Sequence, residues 1–160
     1  MLQGFDEADA GSPFTRRVRA ISDITARWAD CCVQTVVVCP MDEPWHEGDL
    51  TLGFVEEGRP HAQMWLHLAR IRYLRMEDVR EELPSFIDGI QVSVLPALRS
   101  DWPDEARRHT LRGWEGDWGD VDLECEMAWV TIAGPWSLEA IAQVISVSVT
   151  PPELTGISDC

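Results

Sequence analysis

Between Ser12 and Trp28 the apolar residues Phe14, Val18, Ile21 and Trp28 recur at helical intervals, with Ile24 close by. Arg16, Arg17, Arg19 and Asp23 fall between them. Such spacing puts the apolar side chains on one face, so it predicts an amphipathic helix over residues 13–31. Ser12 followed by Pro13 supplies an N-cap and a proline at the first helical position. The period then changes. Residues 33–39, VQTVVVC, are β-branched and stop at Pro40, which predicts a buried strand. Residues 41–49 read as a polar loop, 50–56 as a weakly alternating strand, and 57–60, EGRP, as a turn. Residues 61–76 form one long strand pattern whose inward parity switches between Leu68 and Ile71. A β-bulge or a break into two strands would produce that switch.

A short helix over 76–83 would be stopped by Pro84. Asp88-Gly89 fits a hairpin turn between 86–87 and 90–95, and the same stretch also fits a helix. The pattern does not arbitrate between them. Residues 99–119 read as a loop region rich in Arg, Asp, Trp and Gly. Residues 121–132 alternate strongly as a strand. Ser137 then caps a short helix, LEAIAQVI, and SVSVT makes a last strand. The expected fold is a single α+β domain over 12–150. An antiparallel sheet of about five strands packs against the N-terminal helix, with a short C-terminal helix near 137–145. Residues 1–11 read as a flexible leader and 151–160 as a loose tail.

Charge changes this picture more than composition does. Asp and Glu total 28 against 13 bases, a formal net charge of −15 over 160 residues. Every base is Arg, which a high-GC coding bias explains most simply. Such a balance argues against nucleic-acid phosphates and anionic membrane surfaces as partners. It favours a basic protein. The N-terminus lacks an apolar signal region, no apolar run is long enough to span a membrane, and the five cysteines show no CxxC spacing. These features point to a cytoplasmic protein with free thiols.

The densest charge is GDWGDVDLECE, residues 116–126, which holds Asp117, Asp120, Asp122, Glu124 and Glu126 with no base. In a strand, Asp122, Glu124 and Glu126 would line one face, while Val121, Leu123, Cys125, Met127 and Trp129 would pack on a core. Arg70, Arg72 and Arg75 on an adjacent strand would answer the acidic row. A straight row diverges, so it does not gather ligands around a hard cation. Trp114 and Trp118 stand beside the acids as candidate anchors of an interface. His61 and His67, with Cys39 or His46, match no common zinc spacing. Adjacent Cys31 and Cys32 read as small buried apolar residues. No GxGxxG, GxxxxGK[ST], GxSxG or HExxH pattern occurs, so no catalytic residue, cofactor or metal is assigned.

The preferred function is a small acidic protein-binding domain, of the kind represented by immunity-type inhibitors that neutralise a basic toxin or nuclease. Its interface would use Asp117, Asp120, Asp122, Glu124, Glu126, Trp114 and Trp118. A ligand-binding protein or enzyme with a pocket in a curved sheet is a second expectation. A structural subunit of a larger assembly or a homo-oligomer is a third.

Overall fold

The N-terminal helix starts where its cap places it and ends short of the expected residue 31. In the computed structural model, which describes residues 11–39, 48–78, 85–113, 116–117 and 125–149, helix α1 runs Pro13–Thr25. Ser12 Oγ accepts from the Thr15 backbone N–H at 3.0 Å. Val18, Ile21 and Thr25 are buried, and a 3-10 turn, Ala26–Trp28, carries the helix to its end.

Strands follow: β1 (Cys32–Cys39), β2 (Asp49–Val55), β3 (Met64–Asp78), β4 (Ser85–Phe86) and β5 (Gly89–Leu95). After a short helix α2 (Asp104–Arg107) come β6 (Arg112–Gly113), β7 (Gly116–Asp117), β8 (Met127–Ala133) and β9 (Trp136–Ser148). The expected five-stranded sheet packed on a helix is therefore wrong. Seven strands make one antiparallel sheet in the order β4-β1-β2-β3-β9-β8-β5, curled as a half-barrel, with β6 and β7 a separate small hairpin.

The expected C-terminal helix at 137–145 is also wrong, because those residues lie inside β9. LEAIAQVI has good helix formers, but propensity is a weak prior against tertiary pairing. β9 bonds β3 on one side and β8 on the other. Leu138, Ala140 and Ala142 point inward and are buried. The parity switch in β3 is real. Arg70 takes φ 53°, and the pairing to β9 slips between Ile71 and Tyr73, so an extra residue bends the strand. Met76 to Asp78 extend β3. The rest of the helix expected at 76–83 lies outside the described residues, as do the tail and all of the leader except Gly11.

Asp88-Gly89 turns the chain, yet β4 and β5 do not pair with each other. They sit on opposite edges of the curl, against β1 and β8. The link between them spans the gap. Ile87 N–H bonds Cys31 O at 3.0 Å, and Asp88 N–H bonds Ala133 O at 2.7 Å. Gly134 lies against this link.

The concave side is filled. Leu50, Leu52, Phe54, Leu66, Leu68 and Val130 are fully buried there with Val18 and Ile21 of α1. The Trp28 and Phe54 rings meet with centroids 5.2 Å apart. Among the described residues this side is packed core. A second, smaller core lies on the convex side. There Leu95, Met127 and Ile141 meet Trp102, Ala106 and Leu111 from the segment that follows β5, and Tyr73 and Trp129 pack beside them.

Cys31 and Cys32 are free thiols buried at the start of β1. Burial raises both above the ordinary thiol range, with smaller contributions from Glu56 at Cys31 and Glu57 at Cys32. A raised thiol has less of the reactive thiolate. In the native protein at pH 8 an alkylating reagent is expected to modify exposed Cys125 and to spare Cys31 and Cys32 until denaturant is added. Peptide mass spectrometry reads this directly, and rapid labelling of Cys31 or Cys32 would contradict it.

Candidate functional site

Outward side chains of β3, β9 and β8 form rows across the strands. Tyr73 stands opposite Ile141, and Ile141 opposite Trp129. One step along, Arg75 stands opposite Glu139, and Glu139 opposite Thr131. The first row is covered by the outer segment, whereas the second lies at its margin. Strand alternation alone decides which residues share this face.

The margin is pinned by hydrogen bonds. His109 descends from the end of α2, and its Nε2 lies 2.7 Å from Glu139 Oε1. The same oxygen accepts from Trp129 Nε1 at 3.0 Å. The His109 ring stacks on Tyr73, with centroids 4.0 Å apart and planes at 24°. Both His109 and Glu139 are largely buried, with side chains 10% and 22% exposed. Arg99 fixes the turn that carries His109: its Nη2 donates to Arg107 O at 2.9 Å and also to His109 O. The Arg99 guanidinium lies 5.4 Å from the Trp102 ring centroid, and Trp102 Nε1 donates to Pro96 O at 2.7 Å.

Beside this network is an open cleft of about 360 Å³. Arg75 and Glu77 of β3 form one wall, Glu105 and Arg108 of the α2 turn form the other, and Trp129 and Glu139 contribute the floor. Arg75 Nε donates to Glu77 Oε1 at 2.8 Å, and that bond holds the guanidinium more firmly protonated than usual. Arg108 makes no ion pair among the described residues.

Tyr73 is the chain's single tyrosine, so phenolate absorbance reports on it alone. Burial raises its pKa from the ordinary value of 10.0, Glu139 raises it further, and Arg75 and Arg108 oppose the shift. A folded value above the unfolded one means the proton is held more tightly in the native state. Its stabilising contribution is therefore full below pH about 10 and is lost as pH rises through the folded value. Native protein should show a midpoint above the ordinary one, and Glu139→Gln should lower it. A native midpoint at or below that of the denatured chain would contradict the burial.

Asp117 and Glu126, the described acids of the expected interface, do not line this cleft. Glu126 is brought to α1: its carboxylate accepts from Ser12 Oγ and from Thr15 Oγ1, the latter at 2.9 Å. A carboxylate there complements the helix N-terminus, so Glu126 is engaged within the fold. Asp117 pairs through the backbone with Arg112 in the β6–β7 hairpin. Trp114, Trp118, Asp120, Asp122 and Glu124 lie outside the described residues. Met127 and Trp129 pack on a core as expected, but β8 is covered on both faces. Ala128, Val130 and Ile132 face the main core, whereas Met127 and Trp129 face the convex one. Arg70, Arg72 and Arg75 do not lie beside β8, because β9 intervenes.

Tyr73, His109 and Glu139 were missed because they are far apart in the chain. Only the alternation of Tyr73, Arg75 and Glu77 hinted at a polar outer face. His67 bonds Thr51 Oγ1 at 2.9 Å, and His61 precedes β3. Among the described residues no group of three His, Cys, Asp or Glu could hold a metal ion. No described helix is long and apolar enough to cross a membrane.

No protein-family model matches this chain, and no curated protein does. Among solved structures, the crystal structure of an uncharacterized protein from Neisseria gonorrhoeae is similar, with a TM-score of 0.43 and 11% identity. The match covers 75% of this chain and 91% of that one.

Proposed function

We propose that this chain is an acidic, cytoplasmic protein-binding domain whose partner is a basic protein, such as a toxin or nuclease that it neutralises. The observation that carries the reading is the distribution of its charge. The net charge is −15, and the run with five acids and no base, residues 116–126, lies between Leu111 and Met127. Both of those residues are fully buried in the convex core. Of the run's described acids, Asp117 lies in the β6–β7 hairpin and Glu126 at the N-terminus of α1. Carboxylates beside aromatic and Arg side chains suit association steered by charge and anchored by rings.

The test is capture of a partner from the native cell lysate on the immobilised, folded protein, followed by rate measurements on the pure pair. Association is expected to slow as salt rises, since the Debye length falls from about 10 Å at 0.1 M to about 3 Å at 1 M. Asp122→Arg with Glu124→Arg should reduce the association rate about tenfold at low salt. Capture of only an acidic or salt-indifferent partner would sink the proposal, as would a double variant that binds as fast as the parent.

A further inference from the structure

We infer that the cleft between β3 and α2 is a pocket for one cationic side chain, and that it receives an arginine of the basic partner. The arginine's origin rests on the function proposed above; the cleft's preference for a cation does not. Three carboxylates line it, from Glu77, Glu105 and Glu139, against two guanidiniums. One of those, Arg75, is already taken by Glu77 beside it and faces Glu139 across the strands. Of Glu139, Oε1 holds the Trp129 and His109 contacts, and among the described residues no donor reaches the other oxygen. Glu105 makes no ion pair among the described residues. The cleft thus offers two uncommitted acceptors within a chain of net charge −15.

The floor adds shape. Trp129 is half-buried, and its indole is fixed by the bond to Glu139, so it presents an ordered ring to the cleft. An indole beside carboxylates favours a planar guanidinium, which stacks on the ring and forks onto an oxygen pair. A volume of about 360 Å³ holds one long side chain and its water. Arg108 opposes such a guest by charge, and that makes it the informative position. Its own charge should weaken a cation and would strengthen an anion, so altering it reveals the sign of the natural guest.

The probe is Nα-acetyl-arginine amide, titrated into the full chain at low salt while the Trp129 indole N–H is followed by NMR. A saturable shift with a dissociation constant on the order of 1 mM is expected, as for a single side chain. Nα-acetyl-glutamate amide should give none. Glu139→Gln should weaken binding about tenfold, equivalent to about 1.4 kcal/mol, and Arg108→Glu should tighten it several-fold. Signal dispersion in each variant confirms that it remains folded. No saturation with the arginine probe overturns the inference, as does an equal response to the glutamate probe or weaker binding in Arg108→Glu. A captured basic partner together with a silent titration would remove the cleft and leave the proposed function standing. A positive titration with no basic partner would do the reverse.

Discussion

Gly134→Ala is expected to destabilise the protein by about 3 kcal/mol, combining a disfavoured backbone conformation with overpacking. Gly134 takes φ +147°, and a Cβ there would sit 2.9 Å from Phe86 O, 3.0 Å from Ile87 Cα and 3.2 Å from Asp88 N. All three are backbone atoms of the link that joins the two edges of the curl. No side-chain rotation can relieve the contact. Either the β8–β9 turn or the link must move, and the Asp88 N–H to Ala133 O bond would go with it. Gly89 is the control, because a Cβ there meets nothing within 4 Å. Gly89→Ala should stay within about 0.5 kcal/mol of the parent. Urea unfolding compares them, and a loss at Gly134 no larger than at Gly89 would refute the close approach.

Trp102→Ala is the second large effect, and its signature is local. Trp102 is 3% exposed, and truncating such a ring costs about 3–5 kcal/mol. It is the largest side chain the outer segment places in the convex core. That segment contains only a four-residue helix and a short 3-10 turn. The main core lies on the other face of the sheet and shares none of its fully buried side chains with it. The segment is therefore expected to open as a unit while the sheet persists, as regions of low local stability do. Hydrogen exchange should quicken across residues 96–111, and the Tyr73 phenol should titrate nearer its ordinary value. Phe54→Ala, in the main core, should instead speed exchange throughout the sheet. The same uniform pattern in Trp102→Ala would show that the two cores are one cooperative unit.

What was legible in the chain and what was not divides along physical lines. The Ser12 cap, Pro13 and the stripe from Phe14 to Trp28 are local signals, and the helix appears there. The run of valines in β1 and the parity break in β3 are also local. β9 was misread because Ala140 and Ala142 are good helix formers used here as small inward residues on a bent sheet. Their environment comes from β3 and β8, which residues 136–148 alone do not reveal. Met127 and Trp129 pack on a core as their alternation predicts, but alternation gives the period of a strand and not what covers each face. A segment some twenty residues upstream, rich in Arg and Trp, covers the outer face and takes the ring. The cleft was invisible for the same reason. Glu139 reads as one residue of a helix until Arg75, His109 and Trp129 are brought to it by three other parts of the chain.

The place of β9 also orders events during synthesis. It joins β3 to β8 and so unites the two halves of the sheet, yet it leaves the ribosome after every other described strand of that sheet. Until then β3 presents a bare edge along its 15 residues, and the β5–β8 pair has no neighbour beyond β8. Unpaired edges of that length are templates for other chains. Pairing of that bare edge with other copies is therefore expected to compete with folding until translation has passed Ser148.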